Sequence, residues 1–391
     1  MRMSISSQNP NIYPRGDKTM IVMDLKIDNF FAFKDFHINM SYPKKIINSN
    51  IEGEFLKGRE NFRYKKVNIL MGANATGKTS IGQMLMTIFN FIERKETGRL
   101  KEKVSDKSKV ASFSMEFVVH SYRLYRIDVA IMNKKRDGDS EVKVCTRFVE
   151  ISKKDSYETC AKRIEEIPIC MEDDFVSELE KIEHLGWMFA YPSDSDIGAV
   201  QCSENENFPT ILDHTLRALD PSIKKVEKLT KVHNTYVIRM NSQDLIIQDG
   251  EVIKNSILSS GTKSGIDVAH MLSAIYAGEC GFYYCDEKFS YIHTEIEKAF
   301  LSIMIYGLKN DEQLFFTTHN TDIVEMSLPK HTFTFLKKDM NDDSQPIKCI
   351  SASGYLKRST DSLKNAIDND LFSVSPNLEL IYEISNLKNS Q

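Results

Sequence analysis

Gly72-Ala73-Asn74-Ala75-Thr76-Gly77-Lys78-Thr79 stands between the apolar run Val67 to Met71 and a stretch, Thr79 to about Arg94, in which Ile81, Met84, Leu85, Ile88, Phe89 and Ile92 recur every three to four positions. An apolar strand, a glycine-rich GxxxxGK[ST] turn and an amphipathic helix in that order make a phosphate-binding loop, and this decides the fold class as α/β. The glycines let main-chain N–H groups converge on phosphate oxygens, with the start of the helix behind them. Gly72, Asn74, Gly77, Lys78, Thr79 and Ser80 are the candidate nucleotide contacts. Lys78 brings positive charge to the β- and γ-phosphates of ATP, and Thr79 offers a hydroxyl to Mg²⁺.

Further along, Tyr283-Tyr284-Cys285-Asp286-Glu287 closes a short apolar strand with two adjacent carboxylates. Asp286 suits a metal-holding role and Glu287 that of a general base toward an attacking water. Phe315-Phe316-Thr317-Thr318-His319 ends a second apolar strand in a histidine, which suits a hydrogen bond to a γ-phosphate. Leu258-Ser259-Ser260-Gly261-Thr262 opens an amphipathic helix with small residues, a second anion-binding helix start by its chemistry and, taken alone, equally a plain helix cap.

In this order the motifs resemble those of ABC ATPases, and more narrowly the SMC-like and OLD-type branch. The resemblance extends from about Met20 to the tail segment Tyr355 to Asp361. It implies an ABC-type P-loop ATPase head with a mixed central sheet, an antiparallel β layer and an inserted, mainly helical lobe. It also implies that Gly72 to Thr79 are Walker A, that Ser259, Ser260, Gly261 and Thr262 form the signature, that Asp286 and Glu287 are Walker B, and that His319 is the switch histidine. His293 matches a histidine found a few residues beyond Walker B in that branch. A head-to-tail homodimer or higher homo-oligomer follows from the resemblance, each signature completing the other copy's ATP site. The loop after Walker B departs from the pattern: Lys288-Phe-Ser-Tyr-Ile-His stands where relatives commonly carry Asp or Asn and Ser. Neither Gln83 nor Gln201 is assignable as a Q-loop glutamine.

Pattern and punctuation divide the 391 residues into an N-terminal extension (1–19), a first ATPase lobe with Walker A and a β layer (20–154), an inserted mainly helical region (155–232), a second lobe with signature, Walker B and switch histidine (233–340), and an α/β tail (341–391). Residues 41 to 66 are basic and read as a surface loop. The stretch 233 to 253 reads as a hairpin, and Trp187-Met-Phe-Ala-Tyr-Pro as core packing or a docking surface. The 27% charged, 41% hydrophobic composition is that of a folded globular chain. The seven cysteines show neither CxxC pairs nor zinc spacing, so reduced, mostly buried thiols are expected. With no apolar run of membrane length and a polar N-terminus, the expected address is the cytoplasm.

The long arm of SMC proteins and a fused nuclease are both missing from the sequence, which makes the chain most similar to the ATPase subunit of PARIS-type phage-defence systems. That similarity implies a sensor and scaffold controlling a separate TOPRIM-type nuclease and answering a phage-encoded trigger protein. The alternative is an ATP-gated DNA-binding ATPase of the DNA-repair or SMC type, using Lys101, Lys103, Lys107 and Lys109, or Lys224, Lys225, Lys228 and Lys231, on phosphates. A P-loop phosphotransferase is disfavoured, because such an enzyme has no use for a signature that completes a neighbour's site.

Overall fold

The computed structural model describes residues 12–13, 19–46, 49–133, 140–191, 205–232, 234–241, 244–248, 251–253, 260–290, 292–342, 344–358, 361–372 and 382–384. Its centre is a seven-stranded sheet in the order Ile12–Tyr13, Trp187–Ala190, Phe282–Asp286, Gln313–Thr318, Val67–Met71, Phe333–Lys338, Ile347–Ser351. The five inner strands run parallel and the two edge strands antiparallel, so the sheet is mixed. Strands buried on both faces show no polar alternation, and FYYCD, QLFFTT and VNILM are buried at every position.

Alternation still decides which way each side chain faces. Tyr284 and Phe282 pack on one side with the helix Lys78–Arg94 and an antiparallel five-stranded sheet. Tyr283 and Cys285 pack on the other, against the helices Ser260–Ala277 and Thr294–Gly307. The antiparallel sheet runs Phe36–Asn39, Met20–Asp28, Ala111–Val119, Arg123–Asn133, Ser140–Glu150. Asn29, in the left-handed region at φ 60°, lies in the turn between Met20–Asp28 and Phe36–Asn39, and Tyr122, at φ 56°, lies in the turn between Ala111–Val119 and Arg123–Asn133. Gln313 ties this layer to the central sheet: its amide accepts from the Val22 N–H at 2.9 Å and donates to the carbonyls of Val22 and Lys65 at 3.1 and 3.0 Å.

The stretch expected to be mainly helical contains the helices Tyr157–Glu165, Phe175–Glu180 and Phe208–Leu219, and two strands besides. Trp187–Ala190 enters the central sheet next to the Asp286 strand, which assigns its aromatics to the core. A four-residue apolar run has no measurable period, so only its neighbours make it a strand. Ile223–Lys228 opens a four-stranded antiparallel meander with Thr235–Met240, Asp244–Gln248 and Glu251–Ile253, so the expected hairpin at 233 to 253 is larger than read. Residues 41 to 66 are not simply a surface loop: Lys65, Lys66 and Glu54 are buried. The Lys66 ammonium is held by the carbonyls of Glu52 and Leu308, which satisfies a buried cation that charge counting places outside. Of the described cysteines, Cys145, Cys160, Cys280 and Cys285 are buried and Cys170 is exposed; Cys202 lies outside the described residues. No described helix is long and apolar enough to cross a membrane.

Candidate nucleotide site

Register brings the chemistry to one rim. Asp286 pairs with Thr317, Thr317 with Leu70, and Thr318 with Met71, so the parallel strands end level with one another. Gly72, the Asp286-Glu287 pair and His319 therefore emerge side by side at the carboxyl edge of the sheet, where open α/β sheets bind ligands.

The loop is built by its glycines. A Cβ on Gly72 would stand 2.4 Å from the Leu336 carbonyl oxygen, and Gly77, at φ 95°, begins the helix Lys78–Arg94 in a left-handed conformation. That helix has no acid in its first turn and no side-chain cap, which leaves the positive end of its dipole to an anion. The Lys78 ammonium is buried. It donates to the Gly72 and Ala73 carbonyls at 2.8 and 3.2 Å and lies 3.2 Å from Glu287 Oε1. Gln83 is inside this helix, and Gln201 lies outside the described residues.

Asp286 is buried, and Thr317 Oγ1 donates to its Oδ1 at 2.5 Å. Burial pushes its carboxyl above the ordinary range, while the hydroxyls of Thr317 and Thr79 offset part of the shift. Its Oδ2 is buried without a hydrogen-bond partner of ordinary geometry, and Thr79 is close by. An orphaned carboxylate oxygen beside a hydroxyl fits a hard divalent cation. No group of three or more His, Cys, Asp or Glu suited to a metal exists among the described residues, so phosphate and water oxygens would complete a Mg²⁺ shell. Glu287 sits at φ 43°, its N–H held by the Thr317 hydroxyl at 3.0 Å. A side chain held in that region costs of order 1–3 kcal/mol and persists because the surroundings impose it.

Beside Glu287 a cavity of about 260 Å³ is lined by Ser290, Thr294, Glu297, Thr318, His319 and Asn320. Glu297 is a group that sequence reasoning missed. It is buried and accepts from Thr318 Oγ1 at 2.8 Å and from Asn320 Nδ2 at 2.7 Å, gripping the residues on both sides of exposed His319. Burial raises its carboxyl above the usual range, and Asn320, Thr318 and His319 oppose that shift. One signal was available: Glu297, Phe300, Leu301 and Met304 share the buried face of the helix Thr294–Gly307, and an acid on an apolar stripe needs a partner. His293 caps this helix, its Nδ1 accepting from the Glu295 N–H at 3.2 Å.

Ser259 lies outside the described residues, and Ser260 opens the helix Ser260–Ala277. Gly261 follows in its first turn, while the Thr262 hydroxyl is buried and donates to Asp220 at 3.2 Å, within its own chain.

No family model matches the chain, and no curated protein matches it. Among solved structures it is similar to the SMC head domain from Thermotoga maritima, at 14% identity and a TM-score of 0.43 over 84% of this chain and 98% of that one. It is likewise similar to an SMC head bound to the C-terminal winged-helix domain of ScpA, at 13% identity and a TM-score of 0.48 over 85% of this chain and 99% of that one. RecF of the RecFOR pathway gives 11% identity and a TM-score of 0.43 over 85% and 99% of the respective chains. The sheet order and the loop geometry, rather than these overlaps, define a mixed α/β protein with a phosphate loop at the carboxyl rim of a parallel core.

Proposed function

We propose that the chain is an ABC-type ATPase that binds ATP with Mg²⁺ and hydrolyses it at a site completed by a second copy. The observation that carries this reading is the convergence of Lys78, Asp286 and Glu287: a loop ammonium 3.2 Å from an acid, next to a buried carboxylate flanked by the hydroxyls of Thr317 and Thr79. Gly72, Asn74, Gly77, Lys78, Thr79 and Ser80 cradle the phosphates, and Thr79 and Asp286 hold the metal, which neutralises phosphate charge when bound. Glu287 accepts a proton from the water that attacks the γ-phosphorus as the bond to the β–γ bridging oxygen breaks. His319 hydrogen-bonds the γ-phosphate. Ser259, Ser260, Gly261 and Thr262 form the signature for the other copy's nucleotide, with the Thr262 hydroxyl committed to Asp220.

The test is ATP turnover together with light-scattering mass on wild type, Lys78→Ala and Glu287→Gln. Glu287→Gln should bind ATP, lose turnover and accumulate a larger assembly, and Lys78→Ala should bind none. Identical behaviour of all three overturns the assignment of the site.

The finer reading rests on the resemblance in the sequence: a sensor and scaffold for a separate TOPRIM-type nuclease, released by a phage protein. Purification from the native host without a co-eluting nuclease counts against it. For the DNA-binding alternative, two of the eight lysines named for it are engaged in exposed ion pairs, Lys109 with Asp106 and Lys225 with Glu227, and exposed pairs of this kind are weak. Salt-sensitive DNA binding that requires ATP would favour it.

A further inference from the structure

The loop after Walker B, Lys288-Phe-Ser-Tyr-Ile-His, is where the sequence departs from its relatives, and the side chain of Lys288 does not point to solvent. It is buried, and its ammonium donates to Asp267 Oδ2 at 2.5 Å. Asp267 belongs to the helix Ser260–Ala277, seven residues after Ser260. Seven residues are close to two turns, so the acid and the start of the helix share one face. The Asp267 side chain stays 31% exposed, so the pair is half-buried; a pair of this kind adds little net stability over apolar residues of similar volume, and it ties the loop to the helix.

The other end of the connection is equally constrained. Glu287, directly before Lys288, holds left-handed geometry, its N–H is fixed by Thr317, and its carbonyl accepts from Ser290 Oγ at 2.8 Å. Its carboxylate is paired with Lys78. A nucleotide that draws the Lys78 ammonium onto its phosphates takes that partner away from Glu287. The adjoining peptide, anchored on Asp267, carries the change to the helix that starts at Ser260.

We infer that the Lys288–Asp267 pair is a positioning element that couples the occupancy of one copy's ATP site to the helix which the same copy presents to its partner. The inference rests on the proposed two-copy site. Coupling of this kind changes ATP-driven association without changing how a single copy binds ATP.

The experiment uses the full chain with Glu287 intact, a fluorescent non-hydrolysable ATP analogue for affinity at high dilution, and the unlabelled non-hydrolysable analogue with light scattering for association. Replacing the pair by apolar residues, Lys288→Met with Asp267→Leu, should leave the melting temperature and the single-copy affinity near the parent's. It should weaken ATP-dependent association by about tenfold or more. Lys288→Arg, which keeps the charge, should associate like the parent. Should the paired replacement fail to fold, Asp267→Asn alone carries the test with the same expectation. Association at the parent's strength in the folded uncharged variant overturns the coupling role. A parent that stays monomeric with the analogue overturns the two-copy reading itself, and the two failures are thereby distinguished.

Discussion

The phenol of Tyr284 donates to the main-chain carbonyl of Lys78 at 2.6 Å, so the strand Phe282–Asp286 holds the start of the helix that follows the glycine loop. Its ring lies in an aromatic row with Phe189 and Phe315 across three neighbouring parallel strands, at centroid distances of 5.6 and 5.7 Å. A Cβ on Gly82 would stand 2.5 Å from that ring, which explains a glycine inside a helix. Tyr284→Phe should cost about 1–2 kcal/mol and raise KM for ATP. Gly82→Ala should destabilise by about 1–3 kcal/mol despite the better helix propensity of Ala. Chemical denaturation and steady-state kinetics check both; a stabilised Gly82→Ala would refute the contact.

Lys78 is satisfied by the Gly72 and Ala73 carbonyls and by Glu287. Mg²⁺ and ATP at about a hundredfold excess over Kd should stabilise the wild type by about 3 kcal/mol. Thermal melts should show this as a rise in Tm in the wild type and none in Lys78→Ala.

Glu297 should act on turnover more than on binding, because it grips the residues that flank His319. In Glu297→Ala both acceptor oxygens vanish, so the bonds to Thr318 and Asn320 are lost. The cost should be about 1–3 kcal/mol, with a fall in kcat at nearly unchanged KM. Equal kcat in a folded variant would remove Glu297 from the site.

His270, on the helix Ser260–Ala277, is buried edge-on to Phe208 at 5.3 Å, and its Nε2 has no hydrogen-bond partner. Burial lowers its pKa to about 4. Since the unfolded chain binds this proton more readily, the stability contribution is complete above the ordinary value of about 6.5 and is lost as pH falls toward about 4. At about 1.4 kcal/mol per unit the loss is at most about 3 kcal/mol. Urea melts between these pH values should show a slope in the wild type that His270→Leu lacks.

Much of the site was legible because its chemistry is written in adjacent residues. Gly72 to Thr79 and Asp286-Glu287 are contiguous strings whose strand context is visible in the apolar runs before them, and the helix Lys78–Arg94 follows its three-to-four spacing closely. Glu297, Tyr284 and Lys288 were not legible as a set, since each acts on a residue between 21 and 206 positions away. Trp187–Ala190, rightly read as core, was not read as a strand, and Ile223–Lys228 was placed in a mainly helical region, for a related reason: a short strand is defined by the partner that takes its hydrogen bonds, and no local pattern names that partner.

By itself, then, the sequence determined the loop, the order of its motifs and the α/β class, because local spacing dictates turn, helix and strand. Only the tertiary structure decided that Lys65 and Lys66 are buried, that Thr262 turns inward to Asp220, and that Lys288 reaches the helix of Asp267. A charged side chain goes where its partner is, and that place is set by the packing of the whole sheet.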